Sequence, residues 1–192
     1  YKLLHVYHHY RFSISMVGRQ MGKALWEDTP VPTPNGVKLL RDVQEGEQVY
    51  DENGTPVTVL FKTERQLNRK CYKLTFSNKD TIIADEYHLW KIDGYSEPLT
   101  TKQLYMNSGK KTITLPHKLN DVKYLEIMDI EPTKTVPVYC LEVNSPTHLF
   151  LVGESGIPTH NCVTGDTKIK IRNKKTGEVK EVTIRDFHRD MV

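Results

Sequence analysis

Cys71-Tyr72-Lys73-Leu74-Thr75-Phe76-Ser77-Asn78-Lys79-Asp80-Thr81-Ile82-Ile83-Ala84 reads as strand, turn, strand. In the first six residues apolar and polar side chains alternate, and a period near two puts them on opposite faces of an extended chain. Ser77-Asn78-Lys79-Asp80 supplies the short polar side chains that bond to nearby backbone and tolerate unusual dihedrals in turns. The chain then resumes with Thr81-Ile82-Ile83, which favours a pleated, half-buried surface. Cys71, inside this pattern, reads as a buried strand residue.

The same cadence extends outward from residue 24 to residue 161. Turn signals recur at Pro34-Asn35-Gly36, Glu45-Gly46-Glu47, Glu52-Asn53-Gly54, Asn107-Ser108-Gly109 and Gly153-Glu154-Ser155-Gly156. Strands are predicted between them at Gln48–Asp51, Val57–Lys62, Lys111–Leu115, Tyr124–Ile130, Val136–Val143 and His148–Val152. Only Thr100–Asn107 and Leu39–Val43 suggest short helical turns. Many short strands at regular spacing argue for an all-β domain.

The flanks have a different character. Residues 1–23 are aromatic and basic, and Phe12–Val17 runs into Gly18-Arg19-Gln20-Met21-Gly22-Lys23, a strand entering a glycine-rich turn. Residues 162–192 hold Lys168-Ile169-Lys170-Ile171, a Lys174–Glu178 turn and Val179–Ile184. That is one charged hairpin, too small to bury a core alone.

The chain of 192 residues is 38% hydrophobic and 27% charged, a soluble globular composition. No apolar run approaches the roughly 20 residues of a membrane helix, and the N-terminus lacks a signal-peptide layout. A net charge of +3 is too small to argue for nucleic acid. The three cysteines, Cys71, Cys140 and Cys162, cannot all pair within one chain. Free thiols and a cytoplasmic location are therefore expected, with each cysteine a candidate nucleophile. His5, His8 and His9 have no matching ligands nearby in sequence, so neither a metal nor another cofactor is expected.

Thr159-His160-Asn161-Cys162 carries chemistry. An Asn side-chain amide can attack its own main-chain carbonyl, forming a succinimide and breaking the bond to the next residue. A neighbouring imidazole can assist as general acid or base, and a following thiol can hold an acyl group as a thioester.

Three blocks surround that tetrapeptide in a telling order: Asp28–Gly36, Ile82–Trp90, and Pro137–Val143 with Thr147–Phe150. Together with His160-Asn161-Cys162 they resemble the splicing blocks of inteins, over the whole of residues 24–161. The resemblance implies a Hint (hedgehog/intein) horseshoe-like β-domain with short helical turns. The stretch between Trp90 and Tyr124 is too short for a homing endonuclease, so a mini-intein is expected. Inteins normally begin with Cys or Ser, whereas the block alignment places Ala24 there. Either Ala24 is an inactivating substitution, or the chain resembles the subgroup called class 3, in which a Cys in the Val-Tyr-x-Leu block accompanies a Trp two residues after the activating His and a Thr before the final His-Asn. Cys140, Trp90 and Thr159 match all three positions.

The resemblance then implies a mechanism. Cys140 attacks the carbonyl of Lys23, His88 protonates the departing amine of Ala24, and the acyl group moves to Cys162. Asn161 cyclises with help from His160 and His148, and Lys23 is joined to Cys162. Trp90 and Thr159 are expected to position Cys140. Asp85 stands where the family usually has Thr, and either orients His88 or faces solvent.

Gly18, Arg19, Gln20, Gly22 and Lys23 resemble the nucleotide-binding loop of phage terminase large subunits, in which a Ser or Thr follows the lysine. Ala24 interrupts that loop, so the unspliced chain is not expected to use ATP, and ATP and DNA become partners only of the spliced host. Cys162-Val163-Thr164-Gly165-Asp166-Thr167 itself resembles a first intein block, which makes residues 162–192 resemble the N-terminal fragment of a second, split intein needing a complementary C-terminal fragment. Splicing of residues 24–161 in cis requires no partner. The competing classes are a cleavage-only or inactive Hint autoprocessing domain, and a hydrolase using Cys140 and His88. Neither needs the Asn161-Cys162 pair.

Overall fold

Strands in the computed structural model, which describes residues 23–107, 109–116, 123–161, 168–172 and 179–183, are short and joined by tight turns. They run β1 (Leu25–Trp26), β2 (Pro30–Thr33), β3 (Gly36–Leu39), β4 (Gln48–Tyr50), β5 (Pro56–Lys62), β6 (Cys71–Phe76), β7 (Thr81–Asp85), β8 (Leu89–Trp90) and β9 (Leu99–Thr100). Helix α1 (Thr101–Met106) follows, then β10 (Thr112–Thr114), β11 (Tyr124–Thr133), β12 (Val138–Tyr139), β13 (Leu141–Val143), β14 (Leu149–Val152) and β15 (Ile157–His160). A 3-10 turn occupies Leu40–Asp42. These elements belong to one compact unit, Gly22–Val163. The hairpin of β16 (Lys168–Arg172) and β17 (Val179–Thr183) belongs to another, with Lys168 opposite Thr183 and Arg172 opposite Val179.

The hairpin read from Cys71–Ala84 forms as expected, with Leu74 opposite Ile82 and Tyr72 opposite Ala84. Its turn uses Asn78 as anticipated: the Asp80 N–H donates to Asn78 Oδ1 at 3.0 Å, and Lys79 takes φ 72°. Strands β6 and β7 are central in a sheet ordered β10-β11-β6-β7-β1-β12. A second sheet is ordered β13-β5-β4, and β2–β3, β8–β9 and β14–β15 are separate hairpins. Leu74, Phe76, Ile82, Trp90, Leu104, Leu141, Phe150 and Ile157 are among the side chains of one buried core.

Two differences from the sequence reading bear on the site. The strand predicted over Val136–Val143 is broken at Cys140. Before the break, Val138 and Tyr139 pair with β1; after it, Leu141–Val143 pair with β5 in the other sheet. Cys140 lies where the chain changes sheets, and its N–H donates to the Thr63 hydroxyl at 2.9 Å instead of to a strand. Strand β15 was not foreseen. It pairs with β14 across the Gly153–Gly156 turn and sets Thr159 opposite Phe150. Gly153 has φ 76°, its N–H donates to the Pro30 carbonyl at 2.7 Å, and an added Cβ would lie 3.0 Å from Asp80 Oδ2. Only glycine meets both conditions without strain.

Candidate active site

The Ala24 end of the domain is locked by its neighbours. Ala24 is fully buried in a small apolar cluster with Cys71, Val138 and Cys140. Its carbonyl accepts the Asp85 N–H at 2.9 Å, and Leu25 pairs with both Tyr139 and Ala84. The peptide bond between Lys23 and Ala24 is thereby held beside the break that carries Cys140. The expectation of free thiols holds for Cys71. It does not hold for Cys140, which is disulfide-bonded in this structure, so reduction must precede any nucleophilic use of its sulfur.

Asp85 neither faces solvent nor bonds to the His88 ring. Its carboxylate is 1% exposed and accepts from Arg69 Nε at 2.6 Å and from the Tyr87 N–H at 2.8 Å. Its carbonyl accepts the His88 N–H at 3.0 Å, closing the turn that carries the histidine. A short polar side chain that caps its own turn is ordinary Asp chemistry, and the paired guanidinium offsets the cost of burying the charge.

His88 is wholly buried, with its Nε2 hydrogen-bonded to the hydroxyl of Thr159. Its Nδ1 is buried without a hydrogen-bond partner among the described residues. Trp90 packs against the imidazole edge-on, with ring centroids 5.0 Å apart. The indole N–H donates to Thr101 Oγ1 at 2.9 Å. Trp90 and Thr159, expected beside Cys140, thus both contact His88. Loss of solvent pushes His88 down to about 3; the Lys23 carbonyl favours the charged ring, while the charges of His160 and Lys23 oppose it. At neutral pH the ring is neutral, with one nitrogen able to donate and the other to accept.

The Asn161 end is built from the neighbouring hairpin. Asn161 is fully buried, and its N–H donates to the His148 carbonyl at 2.8 Å. Its Nδ2 donates to the Val143 carbonyl at 3.1 Å, and its Oδ1 has no partner among the described residues. His148 is exposed and holds φ 59°, a left-handed conformation that costs a residue with a Cβ on the order of 1 kcal/mol. His160, half-buried at the end of β15, is pushed down to about 4 by burial first and then by the charges of Lys23, His148 and Lys91. It too is neutral at pH 7. Burial also lowers the Lys23 ammonium pKa.

Cys162, Gly18, Arg19, Gln20 and Gly22 lie outside the described residues. The sequence reading missed Thr63, Arg69 and Thr101, which act on backbone groups or on side chains far away in sequence. Among the described residues no group of three His, Cys, Asp or Glu side chains is placed to hold a metal ion. No described helix is long and apolar enough to cross a membrane.

A buried imidazole bonded through Thr159 to the strand that leads into a buried Asn, with His160 and His148 beside that Asn, defines a protein-splicing domain of the Hint type. Comparison with known proteins supports that class. The chain is similar to the crystal structure of the MchDnaB-1 intein at 34% identity, covering 72% of this chain and 99% of that one, with a TM-score of 0.63. The gp41-1 intein superposes with a TM-score of 0.61 at 26% identity, covering 73% of this chain and 100% of that one. Among curated proteins, the replicative DNA helicase DnaB of Mycobacterium leprae is 32% identical over 140 residues. That match covers 69% of this chain but 23% of the helicase. No protein-family model matches. The chain belongs to the intein family, the autocatalytic protein-splicing domains of Hint fold.

Proposed function

We propose that residues 24–161 excise themselves and join Lys23 to Cys162, starting from Cys140. The Cys140 thiolate attacks the carbonyl carbon of Lys23. The bond to Ala24 breaks, the departing amine takes a proton delivered through His88, and the acyl group rests on Cys140 as a thioester. The Cys162 thiolate displaces the Cys140 sulfur. Asn161 Nδ2 then attacks its own carbonyl carbon, and the bond to the Cys162 nitrogen breaks as a succinimide closes. His160 and His148 serve proton transfer in this step. The freed Cys162 amine finally attacks its own thioester and leaves a peptide bond.

The observation that supports this order is the packing of Ala24 with Cys140 in one buried cluster. An intein with an N-terminal nucleophile needs a side chain at residue 24, and Ala24 offers only a methyl group. In the Asn161→Ala chain under reducing conditions, hydroxylamine is expected to release residues 1–23. Adding Cys140→Ala is expected to stop that release. Release that survives the loss of Cys140 would count against the proposal.

The host reading rests on Gly18–Lys23, which resembles the phosphate loop of terminase large subunits. The matched DnaB helicases favour a second reading, in which the host is a helicase of that kind. In either case Ala24 stands where a Mg²⁺-binding hydroxyl belongs, so the unspliced chain should not hydrolyse ATP. Measurable ATPase activity of the precursor would contradict this. Residues 162–192 serve, on the same reading, as the N-terminal fragment of a second, split intein. Mixing the chain with the complementary fragment should yield a new ligated product, and its absence would count against the tandem arrangement.

A further inference from the structure

The first turn of α1 grips the turn that carries His88. A helix leaves its first N–H groups without intrahelical partners. Here the Thr101 N–H donates to the His88 carbonyl at 2.8 Å and the Lys102 N–H to the Glu86 carbonyl at 2.9 Å. The Gln103 N–H returns to Thr100 Oγ1 in a capping box, which fixes where the helix begins. Pairing of Leu89 with Thr100 and Trp90 with Leu99 brings the two segments together. Side chains in the first helical turn point back toward the N-terminus, and that of Thr101 therefore points at β8.

Thr101 is fully buried, and its hydroxyl is used twice. It accepts the Trp90 indole N–H at 2.9 Å and donates to the His88 carbonyl at 3.3 Å. One side chain thus ties the backbone of the histidine to the ring that packs against its imidazole. Thr159 holds the far side of that imidazole through Nε2.

We propose that Thr101 is a positioning residue for the opening step of splicing, holding His88 and Trp90 as one dry unit against the Lys23–Ala24 bond. The proposal rests on the splicing order given above. Thr101 touches no reacting atom and acts through His88. Its loss lets the indole turn and admits water to the imidazole, which returns the ring toward ordinary titration. The opening step should then become slower and sensitive to acid. Asn161 cyclisation, built on β14, β15 and the Val143 carbonyl, should be untouched.

The test uses the full chain under reducing conditions with Thr101→Val and Thr101→Ser. Hydroxylamine release of residues 1–23 is followed from pH 5.5 to 8.5 in the Asn161→Ala background, and cleavage after Asn161 in the Cys140→Ala background. Thr101→Val should slow release at least tenfold and move the acid limb of its pH profile upward. Thr101→Ser, which keeps the hydroxyl, should stay within about threefold of the parent. Cleavage after Asn161 should change less than twofold in both. Equal slowing of both steps by Thr101→Val would mean a merely structural role and overturn the proposal, as would unchanged release with an unchanged profile. Should Thr101→Val fail to fold, Thr101→Ser alone decides, since a loss of more than tenfold with the hydroxyl present contradicts it. No release from the Asn161→Ala parent would instead overturn the splicing order itself, and this inference with it.

Discussion

His88 and Thr159 stand 71 residues apart in sequence, and in the fold the Nε2 of one is hydrogen-bonded to the hydroxyl of the other inside the protein. That bond couples the turn after β7 to the strand leading into Asn161. Replacing Thr159 by Val keeps the volume and strands a buried nitrogen, which costs about 1–3 kcal/mol. We expect Thr159→Val to unfold at lower urea concentration than its parent and to release residues 1–23 more slowly. Thr159→Ser should recover most of both. Urea titrations in the Cys140→Ala, Asn161→Ala background, with hydroxylamine release beside them, check this.

The pH dependence of stability has a definite sign. His88 is held down to about 3 in the fold, against 6.5 for the free side chain. Above about pH 6.5 the ring is neutral in both states and contributes no pH dependence. As pH falls from there toward about 3, the unfolded chain takes up a proton that the folded one refuses. Stability therefore falls, by up to about 1.4 kcal/mol per pH unit from this residue. Urea midpoints of the Cys140→Ala, Asn161→Ala chain between pH 7.5 and 4.5 should show that decline. Adding His88→Gln should make it shallower, leaving the share that His160, held down to about 4, contributes in the same direction, and an unchanged slope would mean that His88 takes no part in it.

Arg69 and Asp85 form an ion pair whose carboxylate is buried and whose guanidinium is partly exposed, with side chains 1% and 19% accessible respectively. Removing one partner of a buried pair costs about 3–5 kcal/mol, and the partial access of Arg69 argues for the lower end. Asp85→Ala should lower stability by about 3 kcal/mol and slow release of residues 1–23. Asp85→Asn, which keeps an acceptor for the Tyr87 N–H, should lose less. Calorimetric melting of the three proteins in a splicing-blocked background would show that order or contradict it.

The β architecture was legible because turn chemistry and strand patterning agreed. Ser77–Asp80 reads as a turn in sequence and is one in the fold, and Cys71–Phe76 has the same bounds in both. Strands of two residues, such as Leu25–Trp26 and Leu89–Trp90, have no period to read; their partners define them. At the site, residue types were readable and their partnerships were not. Trp90 and Thr159 were foreseen, yet their partner is His88 because β8 and β15 are juxtaposed by the fold. Thr63 and Thr101 left no local signal. A threonine that donates to or accepts from a distant backbone group looks in sequence like any other. Asp85 was ambiguous for the same reason: its partner Arg69 lies on the preceding connection, outside any motif.

Asn161 has its reactive amide held by the Val143 carbonyl and its Oδ1 without a partner among the described residues, an arrangement that keeps the side chain buried beside its own backbone. Asn161→Ala should abolish cleavage after residue 161 and leave the thioester step intact, so that a species with residues 1–23 on a cysteine side chain accumulates. Mass analysis of proteolytic fragments before and after hydroxylamine would reveal that linkage. A chain that still splits after residue 161 would remove Asn161 from the mechanism.

Intact mass after expression and reducing incubation, for the wild type beside Cys140→Ala and Asn161→Ala, tests the central claim most directly. A free 24–161 species and a product joining Lys23 to Cys162 are predicted from the wild type, with both lost in Cys140→Ala. An unchanged full-length mass in all three proteins, or a ligated product that persists without Cys140, would contradict splicing from the internal cysteine.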